Sequence, residues 1–208
     1  MPSRDKVRAL WVSAAGSLRR CRFAPAQHPF TARPWQPRSS GRGIFPLRTG
    51  LVCRRVLWQI SAMRDPFMQA AVDEAYQGLS EGGIPIGSVL VHEGKIIGRG
   101  HNMRMQSGNP LLHGEMSAFQ DAGRQPASVY RDCVLYTTLS PCPMCSGTAL
   151  LYKIPKIVIA ENVTFLGAED WLRHSGVELQ ILQDPECIHL MQDFIAAHPV
   201  LWNEDIAE

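Results

Sequence analysis

Acidic residues are almost absent from the first 60 residues of this 208-residue chain, and basic residues are scarce in the rest. Residues 1–60 contain 12 Lys and Arg but only one acidic residue, Asp5. Residues 61–208 contain 9 basic and 18 acidic residues, so the net charge of +2 divides into +11 and −9. A surface that binds duplex DNA or RNA needs clustered positive charge. The acidic body therefore argues against a nucleic acid partner.

Long apolar runs are missing as well. No stretch is long and apolar enough to span a bilayer, so we expect no membrane partner. The six cysteines do not form a disulfide framework and no secretory signal is evident, so we expect a reducing compartment. Cys133 and Cys187 lie in apolar runs and are predicted to be buried free thiols. We expect the protein in the cytoplasm, with the nucleus as a second compartment.

The basic N-terminal segment differs from everything after it. Residues 1–62 contain six prolines and no sustained apolar period, which predicts a disordered extension. A composition rich in Arg and poor in acid is also typical of a transit peptide, which would place the protein in mitochondria. A third reading is that translation starts at Met63. We favour disorder or a start at Met63 over targeting, because prolines interrupt any long helix. The folded domain is predicted over residues 63–208.

Helical and strand-like patterns alternate from residue 65 onwards. Asp65-Pro66 is typical of a helix start and Gly82-Gly83 of a helix end. The pattern predicts further helices at 113–123, 142–152, 169–174 and 185–197. It predicts strands at 86–91, 95–100, 133–138, 157–160 and 177–182. A polar loop is predicted at 102–109. This order predicts an α/β protein in which helices cover both faces of a five-stranded sheet.

Two short motifs contain metal-ligand residues, His113-Gly114-Glu115 and Pro141-Cys142-Pro143-Met144-Cys145. Either motif alone is weak, since a Cys-x-x-Cys pair can also be a redox couple or half of a structural zinc site. Together they supply one His and two Cys, and three protein ligands leave a fourth zinc position open for water. Zinc lowers the pKa of such a water to about 7, and Glu115 is then available to move protons. The motifs predict one catalytic Zn²⁺ per chain.

The predicted ligands lie at helix starts. Cys142 and Cys145 begin a helix directly after a strand, and His113 also precedes a helix. The positive end of a helix favours a thiolate over a thiol. We therefore expect two helix N-termini to meet at one metal, at the edge of the sheet where ligands of α/β proteins usually bind.

The combined His-x-Glu and Pro-Cys-x-x-Cys pattern is the signature of zinc-dependent nucleobase and nucleoside deaminases. From about Asp65 to the C terminus, the chain resembles fungal-type cytosine deaminases, which belong to the cytidine-deaminase-like superfamily. The resemblance is carried by residues 81–87, 98–104, 135–142 and 161–165 and by Trp202, Glu204, Asp205, Ile206 and Glu208, with Asn203 departing from an aromatic position. It implies a three-layer α-β-α fold with a mixed sheet.

The resemblance also implies an activity and a set of substrate contacts. The implied reaction is hydrolytic deamination of cytosine to uracil and ammonia in pyrimidine salvage, by a homodimer that binds one Zn²⁺ per subunit. Glu115 would be the catalytic proton shuttle. The implied substrate-binding residues are Ile86 and Phe165 beside the base, Asn102 at its polar edge, Gly114, Trp202 as a cap and Asp205 at the amino group.

Other functions remain open from the sequence. A tRNA adenosine deaminase has the same zinc signature, but it needs a basic substrate groove that the acidic body lacks. A guanine or cytidine deaminase would differ only in its substrate. A non-catalytic, zinc-stabilised binding protein would need a fourth protein ligand, and Glu115 would then be replaceable without chemical consequence.

Overall fold

The computed structural model describes residues 64–208, which form helices and strands in alternation. The predicted extension over residues 1–62 and the start at Met63 lie outside the described residues. In chain order the elements are α1 Pro66–Ser80, β1 Gly87–His92, β2 Lys95–His101, α2 Arg104–Ser107, α3 Gly114–Ala122, α4 Ala127–Arg131, β3 Cys133–Leu139, α5 Pro143–Tyr152, β4 Lys156–Glu161, α6 Glu169–His174, β5 Glu178–Ile181, α7 Pro185–Ala197 and α8 Pro199–Ile206.

The five strands form one mixed sheet in the order β2-β1-β3-β4-β5. β1 pairs antiparallel with both β2 and β3, whereas β4 pairs parallel with β3 and β5. The parallel half requires crossover connections, which α5 and α6 supply. The predicted mixed five-stranded sheet is thus confirmed.

Alternate residues of the strands pack into two separate hydrophobic layers. Leu90, Leu135 and Ile157 face one layer, which also contains buried residues of α3, α5 and α6. Val89 and Tyr136 face the other layer, which contains buried residues of α1 and α7. Because successive side chains of a strand point to opposite faces, this division confirms the predicted three-layer α-β-α arrangement.

Glycines bring α3 close to the sheet and so help to place the start of that helix. A Cβ atom at Gly98 would lie 2.2 Å from the carbonyl oxygen of Ala118, and one at Gly100 would lie 2.5 Å from Ser117 Cβ. Side chains at these two positions of β2 would therefore push α3 outward. The close approach holds the N-terminus of α3 beside β1.

Three helices were not predicted from the sequence. The polar loop expected at residues 102–109 contains the single turn α2, so that prediction is wrong in part. α4 is a further short helix of five residues. α8 has a proline at its first position and contains the buried Trp202. The predicted helices at 169–174 and 185–197 coincide with α6 and α7.

A third cluster of buried side chains closes one end of the sheet. It joins Ile86 and Leu139 to Met191 and Phe194 of α7 and to Trp202 of α8. Cys133 and Cys187 are buried and free, as predicted. Within residues 64–208, no helix combines the length and the apolarity needed to cross a bilayer.

Candidate active site

The structure brings His113, Cys142 and Cys145 together. Their ligand atoms all lie within 4.8 Å of one another, and Cys142 Sγ lies 3.5 Å from His113 Nδ1. His113 is the N-cap of α3, Cys142 is the N-cap of α5, and Cys145 lies in the first turn of α5. Two helix N-termini therefore meet at one point, next to the end of β3.

The electrostatics of this point favour a thiolate. Hydrogen bonds from Cys145 and His113, set against burial, lower the pKa of Cys142 to about 4. Cys145 is the partner that keeps its proton, and the hydrogen bond to Cys142 together with burial raises its pKa. The N-terminus of α5 adds positive potential at both sulfurs. A divalent cation can replace the shared proton and bind both thiolates.

This donor set fits zinc. One imidazole nitrogen and two thiolate sulfurs are typical zinc ligands, and a tetrahedral ion held by three of them has one position left. The three residues could therefore hold a Zn²⁺ that also binds a water molecule or a substrate atom. Among the described residues, no fourth His, Cys, Asp or Glu joins the cluster.

Glu115 lies directly behind the ligand cluster. It is the second residue of α3, and 3% of the residue is exposed. Burial, followed by the negative charge of Cys142, raises the pKa of the Glu115 carboxyl group. Thr137 of β3 donates a hydrogen bond of 3.1 Å to Glu115 Oε1, and Ser88 of β1 donates one of 3.0 Å to Thr137 Oγ1. Two buried hydroxyl groups thus fix one carboxylate oxygen.

A pocket opens beside the cluster and Glu115. Its enclosed cavity is small, with a volume of about 20 Å³. Four predicted substrate-binding residues line it: Ile86, Phe165, and Trp202 and Asp205 of α8. The rings of Phe165 and Trp202 pack edge to face with centroids 5.8 Å apart. Such edge-to-face contact is a preferred aromatic geometry, so the two rings form a stable wall.

Two predicted substrate-binding residues do not line this pocket. Asn102 is fully buried, and its Nδ2 donates to Asp205 Oδ1 at 2.9 Å. Gly114 lies against β1, since a Cβ atom there would be 3.0 Å from the carbonyl oxygen of Ile86. Asn102 is therefore in contact with the pocket wall through Asp205, and Gly114 lets α3 approach β1.

Several residues of the site were not predicted from the sequence. Leu139, Ser140 and Ile206 line the pocket, Thr137 and Ser88 support Glu115, and Arg104 pairs with Asp205. Leu139 and Ser140 could have been found, because they directly precede the Pro-Cys motif. Thr137, Ser88 and Arg104 gave no local signal, since each acts through a partner far away in the chain.

A buried carboxylate fixes the segment that leads to Cys142. Glu169, of which 2% is exposed, accepts a hydrogen bond of 2.8 Å from Ser140 Oγ. The backbone N–H of Ala168 donates to the carbonyl oxygen of Pro141 at 3.0 Å. A Cβ atom at Gly167 would lie 2.1 Å from the same oxygen, so only glycine fits there. These contacts hold the loop between β3 and α5 in place.

Comparison with known families agrees with this geometry. The family model of the cytidine and deoxycytidylate deaminase zinc-binding region matches residues 62–161, a range that contains all three metal-ligand residues and Glu115. A cytosine deaminase of Candida albicans is 52% identical over 142 residues, which is 68% of this chain and 95% of that protein. The chain belongs to the cytidine and deoxycytidylate deaminase family.

Two further deaminases are more distant in sequence. A tRNA-specific adenosine deaminase of Streptococcus pyogenes is 38% identical over 139 residues, covering 62% of this chain and 87% of that protein. The solved structure of a guanine deaminase from Nitrosomonas europaea matches with a TM-score of 0.53 and 18% identity, covering 64% of this chain and 86% of that one. That identity supports the fold alone.

Membership of the deaminase family makes the chain an enzyme that acts on C–N bonds. Its zinc-binding region contains the residues that the structure clusters, His113, Cys142 and Cys145. The fold also agrees with that of the deaminase structures it matches. Which C–N bond is cleaved depends on the pocket beside the cluster.

Proposed function

We propose that this enzyme hydrolyses cytosine to uracil and ammonia. The observation that supports this most strongly is the small pocket beside the metal-ligand cluster, covered by Trp202 and Asp205 of α8. The apolar side chains of Ile86, Phe165 and Trp202 suit a flat free base, whereas a ribose on N1 would need room that α8 occupies. The 52% identity to a cytosine deaminase over 95% of its length supports the same substrate.

The proposed roles follow from the residue types. Zinc, when bound by His113, Cys142 and Cys145, supplies an activated water at neutral pH. Glu115 accepts a proton from the attacking water and delivers it to N3 of the base. The oxygen of that water bonds to C4. Glu115 then takes the remaining proton from the new C4 hydroxyl group and passes it to the amino group, so that the C4–N bond breaks, ammonia leaves and the C4=O of uracil forms. One carboxylate performs both transfers, because each returns it to the state that the next one needs.

The pocket walls have separate roles in this proposal. Ile86 and Phe165 contact the faces of the base, and Trp202 covers it. Asp205 accepts a hydrogen bond from the amino group. Asn102 does not line the pocket, so its proposed role is to hold Asp205 through the hydrogen bond of 2.9 Å that its Nδ2 donates.

Deamination of adenosine in tRNA is the second candidate, favoured by the 38% identity to tRNA-specific adenosine deaminases. The charge of residues 61–208 argues against it, because 18 acidic residues face 9 basic ones and RNA binding requires clustered cations. The covered pocket also leaves little space for a nucleotide that is still attached to its strand.

The biological setting completes the proposal. We propose a homodimer that acts in pyrimidine salvage in the cytoplasm, with the nucleus as a second compartment, and mitochondria as the alternative if residues 1–60 act as a transit peptide. Sedimentation of the purified full chain measures the oligomeric state. Imaging of the tagged full chain and of a chain that begins at Met63 compares the compartments.

Ammonia release from a panel of substrates tests the activity. The full chain with zinc should release ammonia from cytosine much faster than from cytidine, guanine, adenosine or an adenosine-containing tRNA stem-loop. Preference for the stem-loop would favour the second candidate. A protein that binds zinc but releases ammonia from none of them would support a non-catalytic, zinc-stabilised binding protein.

A further inference from the structure

Arg104 contacts both Asp205, which lines the pocket, and Asn102, which lies behind it. It is the first residue of α2 and follows Asn102 by two positions. Its backbone N–H donates to Asn102 Oδ1 at 3.1 Å, and its guanidinium Nη1 donates to Asp205 Oδ1 at 2.9 Å. One residue thus connects the end of β2 with α8, although Arg104 and Asp205 are 101 positions apart in the chain.

These contacts fix the orientation of the Asn102 amide. Its oxygen accepts from the Arg104 backbone, and its Nδ2 donates to Asp205. The reversed amide would place its oxygen against the Asp205 carboxylate and its NH₂ group against a backbone N–H. Both contacts would be repulsive, and Asn102 is fully buried, so water could not relieve them. The amide therefore has one stable orientation.

Arg104 also supplies the cation that Asp205 needs. The Asp205 side chain is 3% exposed, and a carboxylate buried to this extent requires charged or hydrogen-bonding partners. Besides Arg104, Asn102 contributes a neutral donor, and His113 Nε2 lies 3.9 Å from Oδ1. Since His113 belongs to the metal-ligand cluster, Arg104 is the cation dedicated to Asp205.

We propose that Arg104 is a positioning residue that sets substrate selectivity by holding α8 closed over the pocket. This inference rests on the proposed function. α8 contributes Trp202, Asp205 and Ile206 to the pocket, so its attachment determines the space available around the base. Besides the ion pair with Arg104, α8 is attached by the neutral Asn102–Asp205 hydrogen bond and by apolar packing of Trp202, Leu201 and Ile206. Hydrogen bonds between charged groups are stronger than neutral ones, so Arg104 makes the strongest of these polar contacts.

Three variants of the full-length protein separate this role from general stability. Arg104→Met keeps the long stem and the backbone N–H but removes the charge, and Arg104→Lys restores the charge. Arg99→Met is the matched control, because Arg99 lies on β2, the strand that precedes Arg104, with a side chain that is 54% exposed and 3.8 Å from Glu74. None of these changes removes a metal ligand or Glu115.

Hydrogen–deuterium exchange without substrate is the first measurement. We expect Arg104→Met to speed exchange in residues 199–206 by about tenfold, the effect of losing one hydrogen bond to a charged group. Exchange in β1 and β3 should not change. Arg104→Lys should recover most of the protection, and Arg99→Met should match the wild type. Unchanged exchange in α8, or equal loosening by Arg99→Met or Arg104→Lys, would overturn the proposal.

Steady-state kinetics are the second measurement. Arg104→Met should lower the ratio of kcat/KM for cytosine to that for cytidine by about tenfold, mainly through KM for cytosine, with zinc content unchanged. An unchanged ratio would overturn the selectivity role. If the wild type turned over neither pyrimidine, the proposed function would fail, whereas the exchange comparison would still decide whether Arg104 holds α8.

Discussion

The two sides of the pocket are held in different ways. The zinc side consists of His113, Glu115, Cys142 and Cys145, which all lie in or next to the first turns of α3 and α5. Both helices pack on the sheet, and buried hydrogen bonds hold Glu115 and the loop before Cys142. The closing side consists of Trp202, Asp205 and Ile206, which lie on the short helix α8.

The closing side depends on contacts between residues that are distant in the chain. Trp202 packs on Phe165, and Asp205 pairs with Asn102 and Arg104. No residue of α8 belongs to the sheet, so side-chain contacts attach this helix to the sheet and to the residues around the pocket. We therefore expect the two sides of the pocket to have different effects on activity. Changes on the zinc side should lower turnover of every substrate, whereas changes on the closing side should alter which substrate is preferred.

Removal of a zinc ligand should have the largest effect. In Cys145→Ala, the donor set falls from three to two, which is too few for a stable zinc site. We expect zinc content to fall from about one per chain to near zero and ammonia release to fall below detection. Metal analysis with an activity assay checks both. The control Cys187→Ala removes a buried thiol of the core and should keep its zinc. Full zinc occupancy in Cys145→Ala would refute the ligand assignment.

Replacement of the proposed proton shuttle should be nearly as severe. Glu115→Gln keeps the shape of the side chain but cannot accept a proton from water. We expect kcat to fall by ~10²–10⁴-fold for cytosine and cytidine alike, with zinc and fold retained. Glu178→Gln, an exposed carboxylate paired with Lys156, is the control. A Glu115→Gln rate within a few fold of the wild type would show that another group moves the protons.

Removal of the closing side should change the preference between substrates. A chain that ends after His198 lacks α8 and with it Trp202 and Asp205. We expect kcat/KM for cytosine to fall by about 100-fold and that for cytidine to fall much less, because the space for a ribose opens while the contacts to the base are lost. Zinc content should not change. If the intact chain already turned over cytidine as well as cytosine, α8 would not act as a cover.

The zinc side was predictable from the sequence, and the reason is local. Strand β3, the Pro-Cys motif and helix α5 follow one another directly, so the spacing of Cys142 and Cys145 already fixes their geometry. His113 precedes a helix in the same way. The order of the longer helices and strands was predictable too, because each buries enough apolar surface to show a clear period.

The closing side was predictable only through the family resemblance. α8 has eight residues and contains one buried residue, Trp202, which is too little for an apolar period. Nothing near Arg104 or Thr137 in the sequence indicates Asp205 or Glu115 as a partner. The fold alone brings these pairs together. Arg104 follows β2 and meets Asp205 on α8, at the end of the sheet. Thr137 lies on β3 and meets Glu115 on α3, which packs against the sheet.

Loss of the hydroxyl group behind Glu115 should have a moderate effect on the zinc side. Thr137→Val is nearly isosteric and removes the hydrogen bond to Glu115 Oε1. Hydrogen bonds to charged groups contribute about 1.5–3 kcal/mol, so we expect kcat to fall roughly tenfold or more with KM unchanged. Thr137→Ser should restore most of the rate.

The neighbouring threonine provides the control for this test. Thr138 accepts a hydrogen bond of 3.0 Å from the backbone N–H of Gly87 and does not contact Glu115. Thr138→Val should therefore lower stability without a comparable loss of kcat. Equal kcat losses in the Thr137→Val and Thr138→Val variants would indicate a general effect on β3 rather than support of the carboxylate.

Removal of the basic extension should have the smallest effect, and it tests whether both sides of the pocket are complete without it. In a chain that begins at Met63, Arg64 keeps its ion pairs with Asp184 and Glu186, at 2.7 and 2.9 Å, which connect the start of α1 to α7. We expect unchanged kcat, zinc content and urea midpoint. The Arg64 side chain is 4% exposed, so Arg64→Ala in the same chain should cost about 3 kcal/mol by leaving Asp184 without its cation. Urea unfolding measures both changes. Loss of folding or activity on removing residues 1–62 alone would place that segment within the enzyme domain, because Arg64 and every residue of both pocket sides would still be present.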